Sequence, residues 1–87
     1  MLYSVEFLKE AVEELSNIDP IWQKRILNKI KILSADPKNL ANNIKKLKGK
    51  YQEYYRLRVG DYRVIYSQEN DRLIILIIRI GHRKEIY

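Results

Sequence analysis

The chain has 87 residues, 46% hydrophobic and 32% charged, a composition typical of one folded domain with a modest core. The absence of cysteine excludes disulfides and thiol chemistry, and the longest apolar run, Leu73–Ile78, is far too short to span a membrane. Residues 1–20 hold five acids against one lysine, whereas residues 21–87 hold 16 Lys and Arg against six acids. One surface is therefore expected to meet a polyanion, and the start, without a visible signal peptide, indicates a cytoplasmic protein.

The first part of the chain predicts a short strand followed by two helices. Leu2–Phe7 alternates loosely and is rich in β-forming residues, and apolar spacing of i, i+4 and i+7 then predicts an amphipathic helix over about 8–17. Asp19-Pro20 is typical of an N-cap followed by a proline at the first helical position, so a second helix is expected over 20–35. Its buried stripe would consist of Trp22, Ile26, Ile30 and Leu33. So short a link between helices predicts an antiparallel hairpin.

A lysine-rich segment follows the second helix. Asp36-Pro37 ends that helix, because the residue before a proline avoids the α region, and residues 38–43 are expected to form a loop or a short helical turn. Ile44–Lys50 then contains four lysines and two spaced apolar residues. Two interpretations fit this pattern: a segment held on the folded domain by Ile44 and Leu47, or a solvated basic loop.

The segment Tyr54–Tyr66, YYRLRVGDYRVIY, predicts a β-hairpin, because alternating residues flank the two-residue turn signal Gly60-Asp61. Pairs counted outward from the turn form an apolar, aromatic face: Val59 with Tyr62, Leu57 with Val64, and Tyr55 with Tyr66.

The other face of this hairpin is predicted to be cationic. It places Arg58 opposite Arg63 and Arg56 opposite Ile65, with Tyr54 at its end. Like charges directly opposite each other destabilise a sheet on the scale of roughly 0.2–1 kcal/mol per pair. Three arginines on one face therefore indicate an anionic ligand; the alternative is a solvated outer face.

The end of the chain predicts one more strand. Gln68–Asp71 forms a second turn, and the nearly continuous apolar stretch Arg72–Ile80 is typical of a central strand covered on both faces and stopped by Gly81. The element order is then β-α-α-β-β-β. The predicted fold is a single α+β domain over 1–87, with the N-terminal helical hairpin packed on a mainly antiparallel sheet.

The chemistry available is that of Arg, Lys, Tyr and one His. Because His82 is the only histidine and cysteine is absent, no metal site and no cofactor are expected. Such residues suffice to cleave RNA, whose own 2′-hydroxyl attacks the adjacent phosphorus. Cations stabilise the phosphoryl charge, a weak base takes the 2′ proton and an acid protonates the leaving 5′ oxygen. His82 is either such an acid or base, or incidental.

The block KLKGKYQEYYRLRVGDYRVIY, followed by an apolar strand and IGHRKEIY, resembles the RelE side of the RelE/ParE toxin superfamily over essentially the whole chain. The resemblance implies a ribosome-dependent, metal-free endoribonuclease that cuts mRNA in the decoding site and is silenced by a cognate RelB-like antitoxin. The catalytic positions that it implies fall on Arg63, Arg83 and Tyr87.

The family's basic positions before a glycine and on the preceding strand fall on Lys48 and Arg56, and Tyr54 occupies a position where some members carry a second lysine. The hairpin face adds Arg58 and the end of the chain adds His82. The expected RNA-binding residues are therefore Lys48, Tyr54, Arg56, Arg58 and His82.

Two other functions fit the same superfamily. A ParE-like toxin would bind a protein target such as DNA gyrase and would have no nuclease activity. ParE-like chains generally lack the combination of Arg63, Arg83 and a terminal tyrosine that is found here. A degenerate relative would bind only its antitoxin.

Overall fold

The structure, a computed structural model, describes residues 3–47 and 54–86. Within these ranges the elements in chain order are β1 (Ser4–Phe7), α1 (Lys9–Ser16), α2 (Pro20–Ala35), a 3-10 helix (Pro37–Asn43), β2 (Ile44–Lys46), β3 (Tyr55–Val59), β4 (Tyr62–Glu69) and β5 (Ile74–His82). The strands form one sheet in the order β1-β5-β4-β3-β2, in which β1 runs parallel to β5 and every other pair is antiparallel. The predicted α+β fold is confirmed.

The helices begin and end close to the predicted residues. α2 runs from Pro20 to Ala35 as expected, and Asp36 caps the following 3-10 helix by accepting a hydrogen bond from the Lys38 N–H at 3.0 Å. Asp19 lies at the N-cap of α2, where its backbone carbonyl accepts from the Trp22 and Gln23 N–H groups. In the part of the chain that is described, no helix has the length and apolar character needed to cross a membrane.

One additional strand, β2, lies in the lysine-rich segment. Ile44 pairs with Leu57, Lys45 with Arg56 and Lys46 with Tyr55, and the chain stays bonded to β3 through a 3.0 Å bond from the Leu47 N–H to the Tyr54 carbonyl. The first half of the segment is therefore pinned to the sheet; residues 48–50 lie outside the described ranges. β2 was missed because three residues with two lysines carry almost no strand signal of their own.

The core lies between the two helices and one face of the sheet. The helical hairpin contributes Ala11, Ile26, Ile30 and Leu33, and the strands contribute Leu57, Val59, Val64, Tyr66, Ile75, Ile77 and Ile80. Trp22 is half-buried against this core, where its ring lies 5.4 Å from that of Tyr62 and under the Arg25 guanidinium. The predicted stripe of α2 therefore faces the sheet.

The last strand differs from the prediction in its ends and in its burial. It begins at Ile74 because Leu73 adopts a left-handed backbone conformation, with φ of 54°, that closes the preceding turn. It continues through Gly81 to His82, since Gly81 pairs with Arg63 and His82 with Tyr62. β5 is interior in the sheet but buried on one face only, because both helices pack on the same side.

Candidate nucleic-acid interface

The register of the sheet assembles a cationic surface on the side opposite the helices. The pairs Arg58 with Arg63 and Arg56 with Ile65 are formed as predicted. We call this surface the arginine face; one row across it consists of Lys45, Arg56, Ile65 and Arg79, and the next of Arg58, Arg63 and Gly81. Because neighbouring strands lie only about 4.8 Å apart, side chains in one row are adjacent.

Two cations of the arginine face, Lys45 and Arg79, were missed from the sequence. Lys45 joins through β2, which was not predicted, and Arg79 lies in the stretch Arg72–Ile80 that was expected to form an apolar strand covered on both faces. Strand alternation alone does not place Arg79, because a register shift opposite Ile65 and Tyr66 lets Ile77 and Ile80 both face the core.

Arg63 and Arg83 are brought together at the Gly60-Asp61 turn. The Arg63 Nη1 donates to the carbonyls of Gly60 and Tyr62, both at 2.9 Å. The Arg83 N–H donates to the Asp61 carbonyl at 2.8 Å, and its Nε lies 3.8 Å from the Asp61 carboxylate. This long ion pair leaves the Arg83 side chain 55% exposed, so its guanidinium remains accessible to a ligand.

Arg56 lies in the middle of the arginine face, between Lys45 and Ile65 in their row. It is half-buried, and its Nε is shielded from solvent without a hydrogen-bond partner among the residues that the structure describes. A buried donor without an acceptor is unfavourable, so an oxygen-rich anion bound to this guanidinium would stabilise the site.

Tyr54 and His82 lie on opposite sides of the sheet. Tyr54 directly precedes β3 and continues its alternation with Arg56 and Arg58, so it lies at the end of the arginine face as predicted. His82 lies on the opposite, helix-bearing side, because β5 continues past Gly81. Its ring contacts Tyr62 edge-on at 5.8 Å, and its Nδ1 accepts from the Lys84 N–H. The expectation that His82 binds RNA with the arginines is therefore not supported by its position.

Two predicted site residues, Lys48 and Tyr87, lie outside the described ranges. Of the tyrosines in the core, Tyr66 is 1% exposed and stacks on Tyr55 at 5.5 Å. Burial, with a smaller contribution from Tyr55, raises the pKa of Tyr66 far above its ordinary value, so this phenol stays neutral and is no base. Among the residues described, no three His, Asp or Glu side chains gather as metal ligands.

Residues 5–87 match the family model described as the ParE toxin of the type II toxin-antitoxin system parDE. This chain belongs to the RelE/ParE toxin superfamily. The toxin is 39% identical to toxin RelE3 of Methanocaldococcus jannaschii over 95% of its own length and 93% of that protein. It is also similar, at 32% identity and a TM-score of 0.81, to a chain in the archaeal RelE-RelB complex of Pyrococcus horikoshii, covering 98% and 99% of the two chains.

A more distant relative bears a name that specifies an activity. The mRNA interferase toxin RelE of Escherichia coli is 22% identical over all of this toxin and 92% of the relative. The toxin is thus a type II toxin of RelE/ParE type.

Proposed function

We propose that this toxin is a ribosome-dependent endoribonuclease that cleaves mRNA without a metal, by attack of the 2′-hydroxyl on the adjacent phosphate. The observation that carries the proposal is the convergence of Arg63 and Arg83 on one turn, beside Arg58 and Arg56 on the arginine face. The name of the Escherichia coli relative supports the same activity.

The chemical roles follow from the charges. In-line attack places extra negative charge on the phosphoryl oxygens, and guanidinium groups held on a sheet stabilise that charge through paired N–H donors. Arg63 is held by two carbonyls and serves as a fixed phosphate ligand. Arg83, on an exposed side chain, stabilises the same phosphate or belongs to the network that protonates the leaving 5′ oxygen. Tyr87 is proposed as the base that takes the 2′ proton.

The first test is ribosome dependence. None of Arg56, Arg63 and Arg83 is a good proton acceptor, so the toxin alone is expected to cut free RNA poorly. On a programmed ribosome, ordering of the reacting groups contributes up to roughly 7–11 kcal/mol to lowering the barrier. Cleavage rates are to be measured on the same mRNA, free and bound in the decoding site. Comparable rates on the two substrates would exclude ribosome dependence.

The second test concerns the partner, proposed to be an acidic, RelB-like antitoxin. Residues 21–87 carry an excess of Lys and Arg over Asp and Glu, and several of these cations lie on the arginine face. Both features favour an acidic partner chain that covers this face and excludes RNA. Co-expression with the neighbouring reading frame is expected to give a stable complex without cleavage activity. A stable complex that still cleaves mRNA at the rate of the free toxin would contradict this arrangement.

A ParE-like function is the second candidate, because the matching family model is that of the ParE toxin. In that case the arginine face would bind a protein target such as DNA gyrase. Pulse labelling after induction separates the two: protein synthesis stops first for the nuclease, whereas DNA replication stops first for the gyrase binder.

A further inference from the structure

A carboxylate from α1 closes the open edge of β5. β1 ends at Phe7, which pairs with Ile77, so within the described residues the far end of β5 has a strand neighbour only on its β4 side. There the Glu14 Oε1 accepts from the Ile80 N–H at 3.0 Å, and its Oε2 accepts from the Arg79 Nη2 at 2.7 Å. The carboxylate is thus fixed by the backbone and holds the Arg79 guanidinium at this edge.

Arg79 belongs to the arginine face by register. It is paired with Ile65, which in turn faces Arg56. Its side chain is 41% exposed, and that of Glu14 is 27% exposed. A cleft of about 780 Å³ opens beside Arg79 on the helix-bearing side of the sheet, and its acidic lining residues are Glu14, Asp19 and Glu85. Because the Arg79 side chain is partly exposed and its row continues into Ile65 and Arg56, an anion lying across the arginine face can reach its guanidinium from that side.

We propose that Arg79 is a further phosphate-binding residue, and that the Glu14 carboxylate occupies its guanidinium until an RNA phosphate displaces it. This inference rests on the proposed function and adds a contact at the β5 edge, for the nucleotide next to the one gripped by Arg63. Displacement is easy because partly exposed ion pairs contribute little, and a phosphate matches the guanidinium fork at least as well as a carboxylate.

The test uses the full chain and a short single-stranded RNA with 2′-O-methyl groups, which binds without being cut. Glu14→Gln keeps an acceptor for the Ile80 N–H but removes the charge, and it is expected to tighten binding about two- to fivefold. The matched control is Glu13→Gln, a carboxylate of the same helix without an ion pair among the described residues; its expected effect is below about 1.5-fold.

A double-mutant cycle assigns the effect to Arg79. Arg79→Gln is expected to weaken binding about two- to tenfold, and Glu14→Gln in that background should then have no more effect than Glu13→Gln. If Glu14→Gln tightens binding equally with and without Arg79, a general field effect is responsible and the inference is overturned. It is likewise overturned if Glu14→Gln and Glu13→Gln are indistinguishable.

Two further variants, Arg63→Gln and Arg58→Gln, separate this inference from the proposed function. If they weaken RNA binding while the Arg79 variants do not, only the role of Arg79 is excluded. If neither of them changes RNA binding, RNA recognition by the arginine face fails as a whole. Thermal melting of each variant verifies that the fold is retained.

Discussion

Replacing either Arg63 or Arg83 with alanine is expected to slow single-turnover cleavage of mRNA on programmed ribosomes by about 10²–10³-fold, the usual cost of removing one donor to a charged transition state. Both guanidinium groups contact the Gly60-Asp61 turn, so each loss is expected to leave phosphoryl charge without a ligand. The melting temperature should change little for Arg83→Ala, because its side chain is 55% exposed.

The matched control for these variants is Arg72→Ala. Arg72 is an exposed arginine paired with Glu69 in the turn before β5, away from the Gly60-Asp61 turn. The Arg72→Ala variant should leave the cleavage rate unchanged. Full activity of the double variant Arg63→Ala/Arg83→Ala would exclude the nuclease assignment.

Tyr87→Phe, measured in the same single-turnover assay, distinguishes a catalytic phenol from a stacking ring at this position. If the phenol is the base, the cleavage rate should fall by about 10²–10⁴-fold. If the ring only stacks on a nucleobase, the rate should hardly change, because phenylalanine keeps the ring. A fully active Tyr87→Phe variant would assign the base to another group and leave the roles of Arg63 and Arg83 intact.

The largest expected effect on stability comes from Gly60→Ala, which should lower the free energy of unfolding by about 2–5 kcal/mol. Gly60 has φ of +58°, and a Cβ added there would lie 2.5 Å from the Trp22 Cη2. Trp22 cannot easily retreat, since its ring is packed against Tyr62. For a domain of this size the melting temperature should fall by about 10–30 °C, measurable by calorimetry.

Gly81→Ala is the matched control for that prediction. Gly81 lies in β5 without a left-handed backbone, and a Cβ there would lie 3.2 Å from the terminal Cδ1 of Ile86 and 3.9 Å from its Cβ. A small movement of that methyl group relieves the contact, so the expected loss is below about 1 kcal/mol. Equal melting temperatures for the two alanine variants would contradict the assignment of strain to Gly60.

The hairpin was the most predictable part of the molecule. All five β3–β4 pairs follow from the position of Gly60-Asp61, because a two-residue turn fixes the register and alternation then fixes the faces. The bounds of α2 were equally well marked, by Pro20 at its start and Asp36-Pro37 at its end.

The features that depend on neighbours in space were not predictable in the same way. β2 forms because its residues pair with β3, and β5 extends beyond Gly81 because His82 pairs with Tyr62. That one-residue continuation decides on which side of the sheet His82 lies. The Glu14–Arg79 pair joins residues 65 positions apart, and the local sequence around either residue gives no sign of the other.

The short outer strand β2 has a consequence for the solubility of the toxin when it is not bound to an antitoxin. An exposed strand edge can recruit a strand from a second molecule and start aggregation, and natural sheets prevent this with very short edge strands and lysines. β2 has three residues, two of them exposed lysines, so it offers a second chain few backbone groups and a repulsive charge. This edge of the sheet therefore disfavours the addition of a strand from a second molecule.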